Sequence, residues 1–179
     1  MLDLDFKIDG AQGESDVVPP LLCFKLRLTE GLVTGRPPTR IQSASVQCQI
    51  QIEPARRRYS PDEQARLFDL FGLLRQWGQT LRPFLWTTVS VVVPSFVSSA
   101  RVDLLVPCGD EQSLGATAYF EALENGEVPL CFLFRGMIFY ENADGNLQFA
   151  PVSWNKEAYY RLPVAIWKAL SNTHTLDRA

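Results

Sequence analysis

Apolar and polar residues alternate with period two along several stretches of this chain. Leu22, Phe24, Leu26 and Leu28 alternate with Cys23, Lys25, Arg27 and Thr29, as in a strand with one face in a core. A second strand is predicted from Ile41 to Glu53. Ala44, Val46, Cys48, Ile50 and Ile52 form one of its faces; Ser43, Ser45, Gln47, Gln49 and Gln51 form the other. That polar face carries no charge and suits either solvent or the hydrogen bonds of a partner.

The period then changes. Ser60, Pro61 and Glu63 spell a helix start, with an N-cap hydroxyl, proline at the first helical position and a capping-box carboxylate. Leu67, Phe68, Phe71 and Leu74 make an apolar stripe that Gly72 ends or kinks. The strand pattern returns at Leu85: Val89, Val91 and Val93 lead to Pro94, and Val102, Leu104 and Val106 lead to Pro107.

The densest apolar stretch is Tyr119–Tyr140, YFEALENGEVPLCFLFRGMIFY, with Glu124, Asn125, Gly126 and Glu127 as its polar break. It predicts a long β-hairpin with arms near Ala116–Leu123 and Pro129–Tyr140. The second arm is apolar on both faces, which predicts a central strand. A turn at Asn142–Gly145, a short strand at Leu147–Val152 and a last helix from Pro163 follow. Val164, Ile166, Trp167 and Leu170 mark the buried side of that helix.

Residues 1–20 read as a flexible N-terminal arm, 21–170 as a single antiparallel β-rich domain and 171–179 as a polar tail. The expected fold class is α+β, mainly β: an antiparallel sheet or two-layer sandwich of about seven strands with two helices packed on it.

Composition narrows the chemistry. With 46% hydrophobic and 21% charged residues among 179, a packed core is expected. A net charge of −3 argues against nucleic-acid binding by bulk electrostatics. No apolar run is long enough to span a bilayer, and the start, Met1-Leu2-Asp3-Leu4-Asp5, is acidic where a secretory leader would be basic. Cys23, Cys48, Cys108 and Cys131 fit no zinc spacing and read as small hydrophobes. Reduced thiols suggest a cytoplasmic protein.

The single histidine, His174, sits in the predicted tail, which leaves little room for a histidine triad or a histidine metal site. Phosphate-cradling glycine loops and the nucleophile elbow are missing as well. No metal and no cofactor is expected. Glu121, Glu124 and Glu127 read as a solvated hairpin tip, and Asp103 as pointing out of its sheet.

Two sets of candidate binding residues remain. Arg56, Arg57 and Arg58 form an exposed patch for an acidic partner, and Arg135 places a charge inside an apolar strand, where it must reach solvent, a carboxylate or a partner. Trp77, Trp154, Tyr160 and Trp167 could line an aromatic groove, the alternative being ordinary core packing.

Four segments, CQIQIEPARRRYS, TLRPFLW, YFEALENGEVPLCFLFRGMIFY and SWNKEAYYRLPVAIWKAL, resemble the bacterial family called domain of unknown function 6084, in order and spacing, from Leu21 to Leu170. The resemblance carries no catalytic residues. It implies an accessory or assembly role near nickel–iron hydrogenases, because members are similar to products of such gene neighbourhoods. The family pattern usually has a small hydroxyl residue where Arg135 stands. The expected function is therefore a non-enzymatic accessory protein that binds another polypeptide or its own copies. The alternatives are a small-molecule or lipid-binding β-sandwich and, by architecture only, a SecB-like chaperone.

Overall fold

The computed structural model describes residues 2–108 and 114–178. The alternating stretches form strands: β1 (Leu4–Glu14), β2 (Leu21–Glu30), β3 (Arg40–Ile52), β4 (Phe84–Val93), β5 (Phe96–Val97), β6 (Ser99–Pro107), β7 (Glu127–Glu141), β8 (Leu147–Pro151) and β9 (Glu157–Pro163). The helices are α1 (Pro61–Arg66), α2 (Phe68–Phe71), α3 (Trp77–Thr80), α4 (Leu114–Ala122) and α5 (Val164–Arg178), with single 3₁₀ turns at Pro54–Arg56 and Leu74–Gln76.

The strands pair antiparallel in two sheets. The smaller has three strands in the order β1-β2-β6; the larger has six, in the order β4-β3-β7-β8, with β5 added beside β3 and β9 beside β7. Their inner faces meet through large rings. Phe24 of β2 lies 5.1 Å from Phe132 of β7 and 6.2 Å from Trp86 of β4, and Phe6 of β1 stacks on Phe134 at 4.4 Å. Each fully buried Leu or Phe here stabilises the fold by roughly 1.5–3 kcal/mol relative to exposure. At the margins β1 runs beside β9 and β4 beside β6, so the sandwich nearly closes. The fold is thus α+β and mainly β, as the sequence predicts.

Helices seal one end. Phe120 of α4 stacks on Trp167 of α5 at 5.1 Å and meets the Trp86 ring at 5.0 Å. The segment after β3 builds a second aromatic cluster on that cap: Tyr119 lies 5.8 Å from Phe84, and Tyr59 lies 5.5 Å from Trp77.

Several expectations are corrected. Residues 1–20 are not a flexible arm: β1 pairs with β2 from Leu4↔Glu30 to Glu14↔Leu21. Leu4, Phe6 and Ile8 are buried, and the glycines and acids between and after them masked that alternation. The hairpin's first arm is helix α4, because Ala116, Tyr119, Phe120 and Leu123 sit at i, i+3, i+4 and i+7, a helical spacing. The predicted polar tail continues α5 to Arg178. Met1 and Ala179, the ends of the predicted arm and tail, lie outside the described residues. The long helix after Ser60 is broken instead into short turns; the Leu67 N–H bonds the Glu63 carbonyl, and Gly72 closes α2 at φ 75°. Strand β9 lies in a stretch for which the sequence pattern predicts no element.

Gly136 fixes how closely β3 and β7 approach. Its φ is +149°, and a Cβ there would sit 1.9 Å from the Ser45 carbonyl oxygen. No side chain fits without separating these strands.

Outward positions differ between the sheets. The smaller sheet presents Asp5, Lys7 and Asp9 from β1, Lys25 and Arg27 from β2, and Arg101 and Asp103 from β6. The larger presents Ser45, Gln47 and Gln49 from β3, Ser90 and Val92 from β4, and Leu133, Arg135, Met137 and Phe139 from β7, with Phe149 of β8 opposite Phe139.

Candidate functional site

Where the chain leaves β3, Pro54 opens a 3₁₀ turn and sets Arg56, Arg57 and Arg58 ahead of the α1 cap. The capping box forms as the sequence predicts: the Glu63 N–H donates to Ser60 Oγ at 3.2 Å, and the Ser60 N–H donates to Glu63 Oε1 at 2.8 Å. Glu63 does more than cap. Its Oε2 accepts the Glu124 N–H at 2.9 Å and pairs with Arg57 Nη2 at 2.9 Å.

Arg57 is consumed by this arrangement. Its Nη1 donates to the carbonyls of Asn125 and Glu127, each at 3.1 Å, and its Nε to the Arg58 carbonyl at 3.1 Å. Its side chain is 8% exposed and that of Glu63 3%. Arg66 adds a second tie, donating to the Ala122 carbonyl at 2.9 Å and to Glu124 Oε1 at 2.6 Å. The segment after β3 is thus clamped to the α4–β7 connection. Burial raises the Glu63 carboxyl, but the N–H groups of Ser60 and Glu124 and the Arg57 guanidinium outweigh it and hold it below the usual carboxylate range.

Under the clamp lies a phenol pair. Tyr59 Oη donates to the Pro54 carbonyl at 2.6 Å, so the Tyr119 hydroxyl donates to Tyr59 Oη, also at 2.6 Å. Burial pushes Tyr59 up to about 12, and it raises Tyr119 as well. Burial likewise pushes Cys48 and Cys108 up to about 12, and, with Glu157 nearby, Cys131 up to about 11. These thiols and phenols stay protonated at neutral pH, a poor state for nucleophilic attack.

Above the clamp is an open cleft of about 570 Å³, rimmed by Arg56, Arg58, Arg161 and Glu127. Arg56 lies over the Tyr159 ring at 4.4 Å, with its Nε 3.5 Å from Glu53. Arg161 of β9 donates to the Arg56 carbonyl at 2.9 Å. Arg58 and Arg161 are exposed, and no carboxylate pairs with either among the described residues. Such guanidinium groups can offer forked N–H donors to a carboxylate or a phosphate.

Of the predicted arginine patch, Arg56 and Arg58 are exposed and share the cleft, whereas Arg57 is a buried structural tie. Its correction has a physical reason: the capping-box carboxylate attracts the nearest guanidinium inward. Arg135 lies elsewhere, on the outer face of the larger sheet, where its Nε donates to Gln47 Oε1 and its charge reaches solvent.

The four aromatics form no groove. Trp77 packs on Tyr59 and donates to the Gly72 carbonyl at 3.0 Å. Trp167 stacks on Phe120, Tyr160 packs 6.1 Å from Phe24, and Trp154 is 94% exposed on the β8–β9 connection. The residues missed from sequence are Arg161, Tyr159 and the second role of Glu63. The first two sit at alternate positions of EAYYRLP, the unrecognised β9.

Glu121, Glu124 and Glu127 are not a hairpin tip, since they flank a helix-to-strand connection. Asp103 does point outward, paired with Lys25 at 2.9 Å. Among the described residues, no helix is long and apolar enough to cross a membrane. No curated protein matches this sequence. The model of the family of unknown function DUF6084 matches residues 1–179, beyond the segments that carry the resemblance at both ends, and the chain belongs to that family.

Proposed function

We propose that this protein is a non-catalytic binding module that takes an acidic stretch of a partner polypeptide in the arginine cleft. The observation that carries the reading is the gathering of Arg56, Arg58 and Arg161, from two distant chain segments, around one open cleft over a rigid clamp. The Arg56 and Arg161 guanidinium groups, held by Tyr159 and by the Arg56 carbonyl, lose little freedom when a carboxylate arrives. Glu53 and Glu127 at the rim, with the net charge of −3, disfavour a continuous phosphate backbone and tolerate carboxylates spaced along a peptide. Space between the sheets is occupied by Phe24, Phe132 and Trp86, which supports a surface ligand over an internal lipid. An accessory role in nickel–iron hydrogenase assembly, implied by the family resemblance, is one setting for such a partner, in the cytoplasm.

The test is fluorescence anisotropy with a labelled peptide of alternating aspartate and serine. The native chain binds it, and affinity falls at least tenfold (~1.4 kcal/mol) in the Arg56→Glu/Arg58→Glu/Arg161→Glu variant. Equal affinity in the two proteins overturns the reading.

A further inference from the structure

Resting on the acidic-partner reading, we infer that the partner does not end at the cleft but continues over the outer face of the larger sheet, along β7, meeting Arg135 with a second carboxylate and setting apolar side chains on Met137, Phe139 and Phe149. Cleft and face are continuous. Arg161 lies opposite Pro129 and Tyr159 opposite Cys131 in the β7–β9 ladder. Arg56 covers Tyr159. From there the outward positions of β7 run through Leu133, which faces Glu157 of β9 and so calls for an uncharged residue of the partner, and Arg135 to Met137 and Phe139. Arg135 lies six positions beyond Pro129, roughly 20 Å at a strand's rise of ~3.3 Å per residue.

That face has the make-up of a covered surface. Phe149 is 70% exposed, Val92 69% and Leu147 62%, while the flanking β3 positions are Ser43, Ser45, Gln47 and Gln49. These can donate and accept hydrogen bonds without the desolvation cost of a charge. Around Arg135 the surface dips into a shallow depression of about 500 Å³ between Ser45, Ser90 and Met137.

Arg135 also selects the occupant. It stands midway along β7, hydrogen-bonded only to a neutral amide among the described residues. A second copy packed about a two-fold through this centre would bring Arg135 toward its own mate. A foreign segment with a carboxylate at that station is the complementary partner. The chemistry is therefore an acidic block, then a carboxylate about 20 Å on, then apolar residues.

Two synthetic peptides test this by anisotropy: a tetra-glutamate, and the same block followed by Ser-Ser-Glu-Ser-Leu-Ser-Leu, whose single glutamate and two leucines share one face of an extended chain. The longer peptide binds at least tenfold tighter (~1.4 kcal/mol), and Arg135→Glu or Phe149→Ser each returns it to the affinity of tetra-glutamate. Both residues are exposed, so circular dichroism of these variants matches the native chain. Equal binding of the two peptides overturns the extension and leaves the cleft reading standing. Failure of both to bind overturns both.

Discussion

The two outer faces of the sandwich make opposite use of the same geometry. On the smaller sheet, outward positions carry both signs of charge and two ion pairs, Lys25 with Asp103 at 2.9 Å and Arg27 with Asp9 at 3.1 Å, beside the cations Lys7 and Arg101. On the larger sheet the equivalent positions carry mostly serine, glutamine, valine, leucine, methionine and phenylalanine, with Arg135 as the charge at the centre and Glu141 and Glu157 nearer the margins. A charged, self-paired face is satisfied by water and discourages edge and face association. A neutral face studded with exposed apolar groups is satisfied only when something lies on it. Both faces alternate with equally buried inner residues, so the core does not explain the difference.

The largest expected effect concerns Gly136. Gly136→Ala places a methyl group 1.9 Å from the Ser45 carbonyl and forces β3 from β7. A loss of about 4 kcal/mol or more is expected, read as a collapse of the urea midpoint. Gly10→Ala, at the β1 bulge of the other sheet, meets nothing within 4 Å and stays near native. Similar costs at both sites would contradict this account of the β3–β7 contact.

Next come the ion pairs. Glu63→Ala leaves Arg57 buried without its carboxylate, and about 3–5 kcal/mol of stability is lost. Asp103→Asn on the smaller sheet leaves the urea midpoint unmoved, because both partners are solvated. Glu63 also sets an acid limit. Its carboxyl is held below the usual range in the fold, so its contribution is complete above the unfolded value of about 4.3. That contribution fades as pH falls through the lower folded value. The native chain accordingly loses melting temperature below about pH 4, and Glu63→Gln loses less over the same window. Parallel acid profiles would remove Glu63 from that role.

The smallest effect is on the neutral face itself. Phe149→Ser leaves the urea midpoint within error, since its ring is already in water. A marked loss of stability would mean that this face is part of the core.

What the sequence discloses follows from how local each signal is. Period-two alternation located β2, β3, β4 and β6, and the capping box located α1, because each signal lies within a few adjacent residues. Tyr119–Leu123 failed because its apolar run satisfies a strand and a helix alike; only the docking of Tyr119 against Phe84 and of Phe120 against Trp167 settles it as α4. The strand β1 carries the same local signal, with Leu4, Phe6 and Ile8 alternating with Asp5, Lys7 and Asp9, but the acids and the glycines of its second half give it the composition of a loose arm. Half of the arginine cleft was legible in Arg56-Arg57-Arg58. Arg161 was not, since 105 residues separate it from its hydrogen-bond partner Arg56. Which of three adjacent arginines turns inward depends on carbonyls of the α4–β7 connection, a contact no local pattern encodes.

The central claim is that binding uses the cleft and the neutral face and spares the charged one. The most direct measurement is amide chemical-shift mapping of the ¹⁵N-labelled chain during titration with the glutamate–leucine peptide. The account predicts shifts at Arg56, Arg58, Arg161, Arg135, Met137 and Phe139, with Lys7, Lys25, Arg27 and Arg101 silent. Shifts centred on those four residues of the smaller sheet, or no shifts at all, would contradict it.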